Sequence, residues 1–133
     1  MKHIHVTCAI IEKEGKVLST QRSEVMSLPL KWEFPGGKIN DGEHPEECLR
    51  RELHEELGIA VSISRSLAPR THHYPTFIIT LYPFVCKITA GEIKLHEHNA
   101  FTWLSPEKLH ELDWAEADRP VLDAYLGQYQ RSP

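Results

Sequence analysis

Apolar and polar residues change period several times along this chain, and each change marks a structural element. The opening run "HIHVTCAIIEKEGKVLSTQR" is apolar and β-branched on both sides of Glu14-Gly15. It predicts two strands, residues 4–12 and 16–21, joined by a turn into a hairpin. "SEVMSLPLKWEFPGGK" follows with two prolines and a Gly-Gly pair, so residues 23–42 read as an extended loop. Loops of that length commonly carry function. Helical spacing takes over at residues 45–57, where Cys48, Leu49, Leu53 and Leu57 form one apolar stripe. Pro45 suits a first helical turn, Glu46 and Glu47 sit where the helix dipole favours anions, and Gly58 supplies a stop.

Beyond the helix, "IAVSISRSLAPRTHHY" and "TFIITLYPFVCKITAG" read as two long strands on either side of Pro75, and "NAFTWLS" reads as a shorter one. Two short helices are expected to close the chain. The first starts at "SPEKLHEL", with Ser105 as its cap before Pro106, and the second covers residues 119–129. The order of elements is that of an α+β fold.

Composition narrows the class. A chain of 133 residues is expected to form one compact domain, able to bury about two-thirds of its unfolded surface without disulfides or a structural metal. A net charge of −4 leaves no basic stripe for a nucleic acid polymer, although a single nucleotide held through a divalent metal stays compatible with it. Cys8, Cys48 and Cys86 are odd in number and widely spaced, so a disulfide framework is not expected and a reducing cytoplasm suits the chain. The start shows no signal-peptide pattern, and no run approaches about 18 apolar residues, so no membrane association is expected.

The helix carries the most informative polar pattern. Glu52, Glu55 and Glu56 stand at i, i+3 and i+4, which places three carboxylates on one face beside the apolar stripe. Like charges at that spacing cost a few tenths of a kcal/mol per pair, roughly, and more where water is excluded. Two readings fit: a solvated helix face with Arg50 and Arg51 nearby, or a metal site. Mg²⁺ takes oxygen ligands and usually shares a few carboxylates with substrate phosphates, so such a cluster can be half of a metal-phosphate site.

The surrounding residues fall at fixed offsets. Gly37, Glu43, Arg51, Glu52, Leu53, Glu55, Glu56, Gly58 and Ile59 match every fixed position of the Nudix box, G-x5-E-x7-R-E-U-x-E-E-x-G-U with U aliphatic. "WEFPGGK" resembles the loop of the MutT-type branch of that family, and the hairpin, helix and strands are compatible with the Nudix fold across nearly the whole chain. The resemblance implies an α/β/α sandwich around a mixed β-sheet. It implies a hydrolase that cleaves a (deoxy)nucleoside triphosphate to the monophosphate and pyrophosphate. Mg²⁺, which Mn²⁺ can replace, would be held by Glu52, Glu55, Glu56 and the Gly36 carbonyl, and would orient the phosphates and lower the pKa of the attacking water.

The same resemblance brings in Glu97 of "LHEHNAFTW" as a further acidic group at the metals. For a general base, Glu55 or Glu56 competes with Glu97. Glu43 is expected near the metals and paired with Arg51, a bidentate brace beside Gly37. Arg22 matches a phosphate-contacting position, and its planar donor fork suits that task. Lys38 is a second phosphate candidate, and Glu33 joins the substrate side. Phe34 and Asp118 map to the base pocket. An ionised aspartate only accepts, which favours an exocyclic amino group over a carbonyl edge. Asp118 can equally cap the helix that begins near Pro120.

"HEHNAFTWLSPEKL" with "AEADRPVLDAY" looks most like the CTP or 5-methyl-dCTP pyrophosphohydrolase subgroup, which suggests CTP, dCTP or a modified dNTP as substrate and a role in cleansing the nucleotide pool. Two alternatives remain open. Pro75, sixteen residues past Ile59, is compatible with an ADP-ribose or other nucleoside-diphosphate-derivative hydrolase. A non-catalytic nucleotide sensor is the other, although such modules usually lose box glutamates. Monomer and homodimer are both compatible with the sequence. The nine histidines include three close pairs without zinc-site spacing, and His96 and His98 flank Glu97, where they can tune it.

Overall fold

The computed structural model describes residues 1–131. Its strands are β1 (Lys2–Lys13), β2 (Lys16–Gln21), β3 (Trp32–Glu33), β4 (Gly36–Lys38), β5 (Ala60–Ser66), β6 (Arg70–His73), β7 (Phe77–Ala90) and β8 (Ala100–Leu104), with α1 (Pro45–Leu57) after β4 and α2 (Arg119–Arg131) at the end. The hairpin turn forms at Glu14 and Gly15, both with positive φ (52° and 76°), the conformation that matches the twist of paired strands. Only its tip pairs, Glu12 with Val17 and Lys13 with Lys16. β2 then diverges to pair with β8 and β3.

β1 is the spine. It runs parallel to β7 from Lys2↔Phe77 to Ile11↔Cys86 and antiparallel to β4. β5 and β6 pair with β7 on its other edge. Strand alternation sends Val6, Cys8 and Ile10 to one face of this mixed sheet, with Ile79, Leu81 and Val85 of β7, where they pack with Trp114, Val121, Leu122 and Tyr125 beneath α2. Ala9, Ile11, Phe84 and Cys86 face the other way and meet Leu49, Leu53 and Leu57 of α1. The sheet is thus layered between two helices.

Three local expectations change. The segment read as a loop, 23–42, contains β3 and β4, whose partners lie on β2 and β1 and are not local. The long strand expected over 59–74 breaks at Leu67-Ala68-Pro69 into β5 and β6. The helix expected at 105–112 is a 3-10 helix over Pro106–Glu111, and the Ser105 side chain makes no cap hydrogen bond. α1 keeps its expected bounds, with Glu47 accepting from the His44 N–H (3.2 Å) and Gly58 closing it at φ 71°. His3 and His5 share a face of β1, stacked 4.4 Å apart, and bond to Thr80 and Tyr82.

Candidate active site

Between β1, β3, β4 and the C-terminal end of α1 lies a cleft of about 340 Å³. Its lining gathers Arg22, Glu33, Phe34, Gly36, Gly37, Lys38, Glu56, Glu97 and Asp118, residues far apart in the sequence. Apolar walls come from Val6, Cys8, Met26, Ile79 and Leu81. A larger hollow of about 480 Å³ at the hairpin tip, lined by Lys13, Lys16, Lys87 and Tyr125, holds none of the expected site residues.

Two glycines set how closely β4 packs, Gly36 against β1 and Gly37 against α1. A Cβ on Gly36 would overlap the Thr7 carbonyl of β1, and a Cβ on Gly37 would overlap the Glu52 carboxyl. The strand therefore passes against the helix face that bears the glutamates. Arg51 stands at the centre of that face. Its Nε and NH2 donate to Glu43 at 2.8 and 3.0 Å, and its NH1 donates to Glu52 at 2.8 Å and Glu55 at 3.2 Å. This guanidinium, above all through its hydrogen bond, holds the Glu43 carboxyl at about 2. Glu55 points outward, with 57% of its side chain exposed, and does not line the cleft.

Glu56 is the opposite case. Its Oε2 is buried without a hydrogen-bond partner, and burial followed by the charges of Glu52, Glu97 and Glu33 pushes its carboxyl up to about 9. Among the described residues no three His, Cys, Asp or Glu side chains form a metal-holding group, and Arg51 pairs with both Glu52 and Glu55. The donor set still fits a hard divalent cation: an orphaned buried carboxylate oxygen, further carboxylates on the same helix face, and Glu97 across the cleft.

At the other end, Phe34 packs its ring on Trp114 (centroids 4.7 Å) and donates its N–H to Asp118 Oδ2 at 3.0 Å. Asp118 is only 6% exposed and lies in the cleft wall directly before α2. Burial, then the Glu33 charge, pushes its carboxyl well above the usual range. The shift favours the protonated form, in which the acid can donate as well as accept.

Arg22 is also more occupied than a free phosphate contact. Its Nε donates to Ser27 O (2.6 Å), NH1 to Glu33 Oε1 (2.7 Å) and NH2 to Ser27 Oγ (3.1 Å). Lys38 stays exposed at the rim. Two further contributors emerge, one absent from the sequence reading and one read there only as able to tune Glu97. The Tyr74 hydroxyl accepts from the Ala117 N–H at 3.1 Å and so fixes the turn before Asp118. The His98 side chain, 2% exposed, bonds to Glu33 Oε2 at 2.9 Å. Only its place beside Glu97 was visible in sequence.

The box geometry and the cleft agree with comparison to known proteins. The NUDIX domain family profile matches residues 1–125. The chain belongs to the Nudix family. It is 38% identical over 126 residues to the CTP pyrophosphohydrolase of Escherichia coli, covering 95% of this chain and 93% of that one. It is 34% identical over 129 residues to the 8-oxo-dGTP diphosphatase of Haemophilus influenzae, covering 96% and 94%. In structure it resembles the MutT protein from Methanosarcina mazei, with a TM-score of 0.86, 25% identity and coverage of 98% and 97%. This Nudix chain is therefore a hydrolase of a family that generally uses divalent metal. No helix among its described residues is long and apolar enough to cross a membrane.

Proposed function

We propose that residues 1–133 form a single cytoplasmic Nudix domain that hydrolyses a nucleoside triphosphate to the monophosphate and pyrophosphate with Mg²⁺. The observation that carries this reading is a single cleft with the orphaned carboxylate of Glu56 at one end and the buried acid of Asp118 at the other. Glu52, Glu55, Glu56 and Glu97, with the Gly36 carbonyl, would hold the metal once Glu52 and Glu55 turn from Arg51 towards the cleft, and the metal when bound would supply charge neutralisation at the phosphates and an activated water. Lys38 meets phosphate at the rim, and Arg22 orders the 23–31 segment and Glu33 beside it. Arg51 with Glu43 braces β4 against α1, since Arg51 NH2 also donates to Lys38 O (3.2 Å). Phe34 and Asp118 take the base. The preference for CTP, dCTP or a modified dNTP rests on likeness to the Escherichia coli CTP pyrophosphohydrolase.

The test is a substrate panel of common and modified nucleoside triphosphates plus ADP-ribose, with nucleoside monophosphate formation followed by chromatography in Mg²⁺ and in Mn²⁺ and pyrophosphate measured alongside for the triphosphates. A cytosine triphosphate is expected to show the highest kcat/KM. ADP-ribose as the best substrate by a wide margin overturns the triphosphate reading.

A further inference from the structure

Segment 91–99 carries Glu97 but has neither helix nor strand, so anchors must place that carboxylate. Main-chain hydrogen bonds tie it down at intervals: Lys94 N–H to Leu57 O (2.9 Å), His96 N–H to Glu56 O (3.3 Å) and Asn99 N–H to Gln21 O (2.9 Å). Between the last two, Glu97 is exposed and His98 is the one buried residue of the segment. Glu33, which accepts from His98, is itself fixed from two directions. Its backbone pairs with Thr20 of β2, whose hydroxyl donates to Glu33 O (3.2 Å), and its second carboxylate oxygen takes Arg22 NH1. A carboxylate only accepts, which puts a proton on His98 Nε2. His98 Nδ1 is left buried without a partner, a cost that an apolar packing residue would not carry.

We propose that His98 is a positioning residue for the hydrolytic reaction: its ring, latched to Glu33 with Arg22 as the brace, sets where the neighbouring Glu97 carboxylate stands over the cleft. The inference rests on the role given to Glu97 above. It explains why an imidazole is held in a nearly closed site at the expense of an unsatisfied nitrogen. It also gives Glu33 a task that its position in "WEFPGGK" does not disclose, that of a fixed point shared by two segments 65 residues apart.

Glutamine and asparagine separate this from packing, since a Gln amide reaches the height of Nε2 and an Asn amide only that of Nδ1. His98→Asn is expected to lower kcat by about 10²-fold, the order of loss for a catalytic group misplaced by about 1 Å, with KM little changed. His98→Gln restores most of kcat. In the absence of nucleotide, Mn²⁺ titration followed by electron paramagnetic resonance is expected to show binding weakened by about 10-fold or more in the Asn variant and retained in the Gln variant. Equal kcat and Mn²⁺ affinity in wild type and His98→Asn overturn the proposal, as does equal loss in both variants together with a lowered Tm, which makes the ring a packing group. Glu97→Gln distinguishes the levels. If it leaves kcat unchanged, the assigned role of Glu97 fails and takes this inference with it. If it lowers kcat while His98→Asn does not, only the latch is refuted.

Discussion

Two carboxyls in the cleft, Glu56 and Asp118, are raised above all by burial, and Asp118 offers the cleaner test. Its raised pKa comes first from burial and then from Glu33, against the opposing Phe34 N–H and Arg22. A carboxyl whose folded value exceeds its unfolded one favours folding in its protonated form. That contribution is complete below the ordinary value of 3.8 and is lost as pH rises towards the folded value. An asparagine keeps the acceptor for Phe34 and cannot ionise. Asp118→Asn should therefore match or exceed wild type in Tm, with a margin that grows as pH rises above about 4; thermal unfolding across pH checks it, and a margin that shrinks with pH refutes the assignment. None of this was legible in the sequence. "AEADRP" shows an aspartate ahead of a proline, which reads equally as a helix cap, and only the fold places Glu33 and the Phe34 amide against it.

At the scale of elements, α1 was legible because every determinant of it is local: a proline at the start, acids in the first turn, a three-four apolar stripe and a glycine at the stop. β3 and β4 were not, because Pro35 and Gly36-Gly37 signal a loop while the pairing that makes them strands comes from β2 and β1. The two glycines then predict different failures. At Gly36 the obstructing group is the Thr7 main chain in the middle of the sheet, so Gly36→Ala must separate β4 from β1 and should lower Tm and activity together. At Gly37 the obstruction is the Glu52 side chain, which can swing aside, so Gly37→Ala should keep most of the wild-type Tm while kcat falls by at least about 10-fold through displacement of that carboxylate. Thermal unfolding beside steady-state kinetics reads the difference. The same Tm loss in both variants shows that Glu52 is not free to yield.

For the molecule as a whole, the cleft is the place where elements from both halves of the chain meet. The end of β2, the β3–β4 segment, α1, β7, segment 91–99 and the turn before α2 all reach it, while the two apolar cores lie on opposite faces of one sheet. A ligand bound there bridges all of these elements at once, so binding should be read out in global stability. Saturation at 100 times Kd stabilises by about 2.7 kcal/mol, which for a chain of this size raises Tm on the order of 10 °C. The net charge of −4 and the crowded carboxylates oppose a bare polyphosphate. A non-hydrolysable cytidine triphosphate analogue is therefore expected to raise Tm by that order with Mg²⁺ and very little in a chelator, and a guanosine analogue less than the cytidine one. Glu56→Gln should abolish the Mg²⁺-dependent part, because an amide cannot give up a proton to a metal as the one carboxyl on that face of α1 without an Arg51 contact can. An equal shift with and without Mg²⁺ would mean that phosphate is held by Lys38 and Arg22 alone, and the acidic face of α1 would then need another explanation.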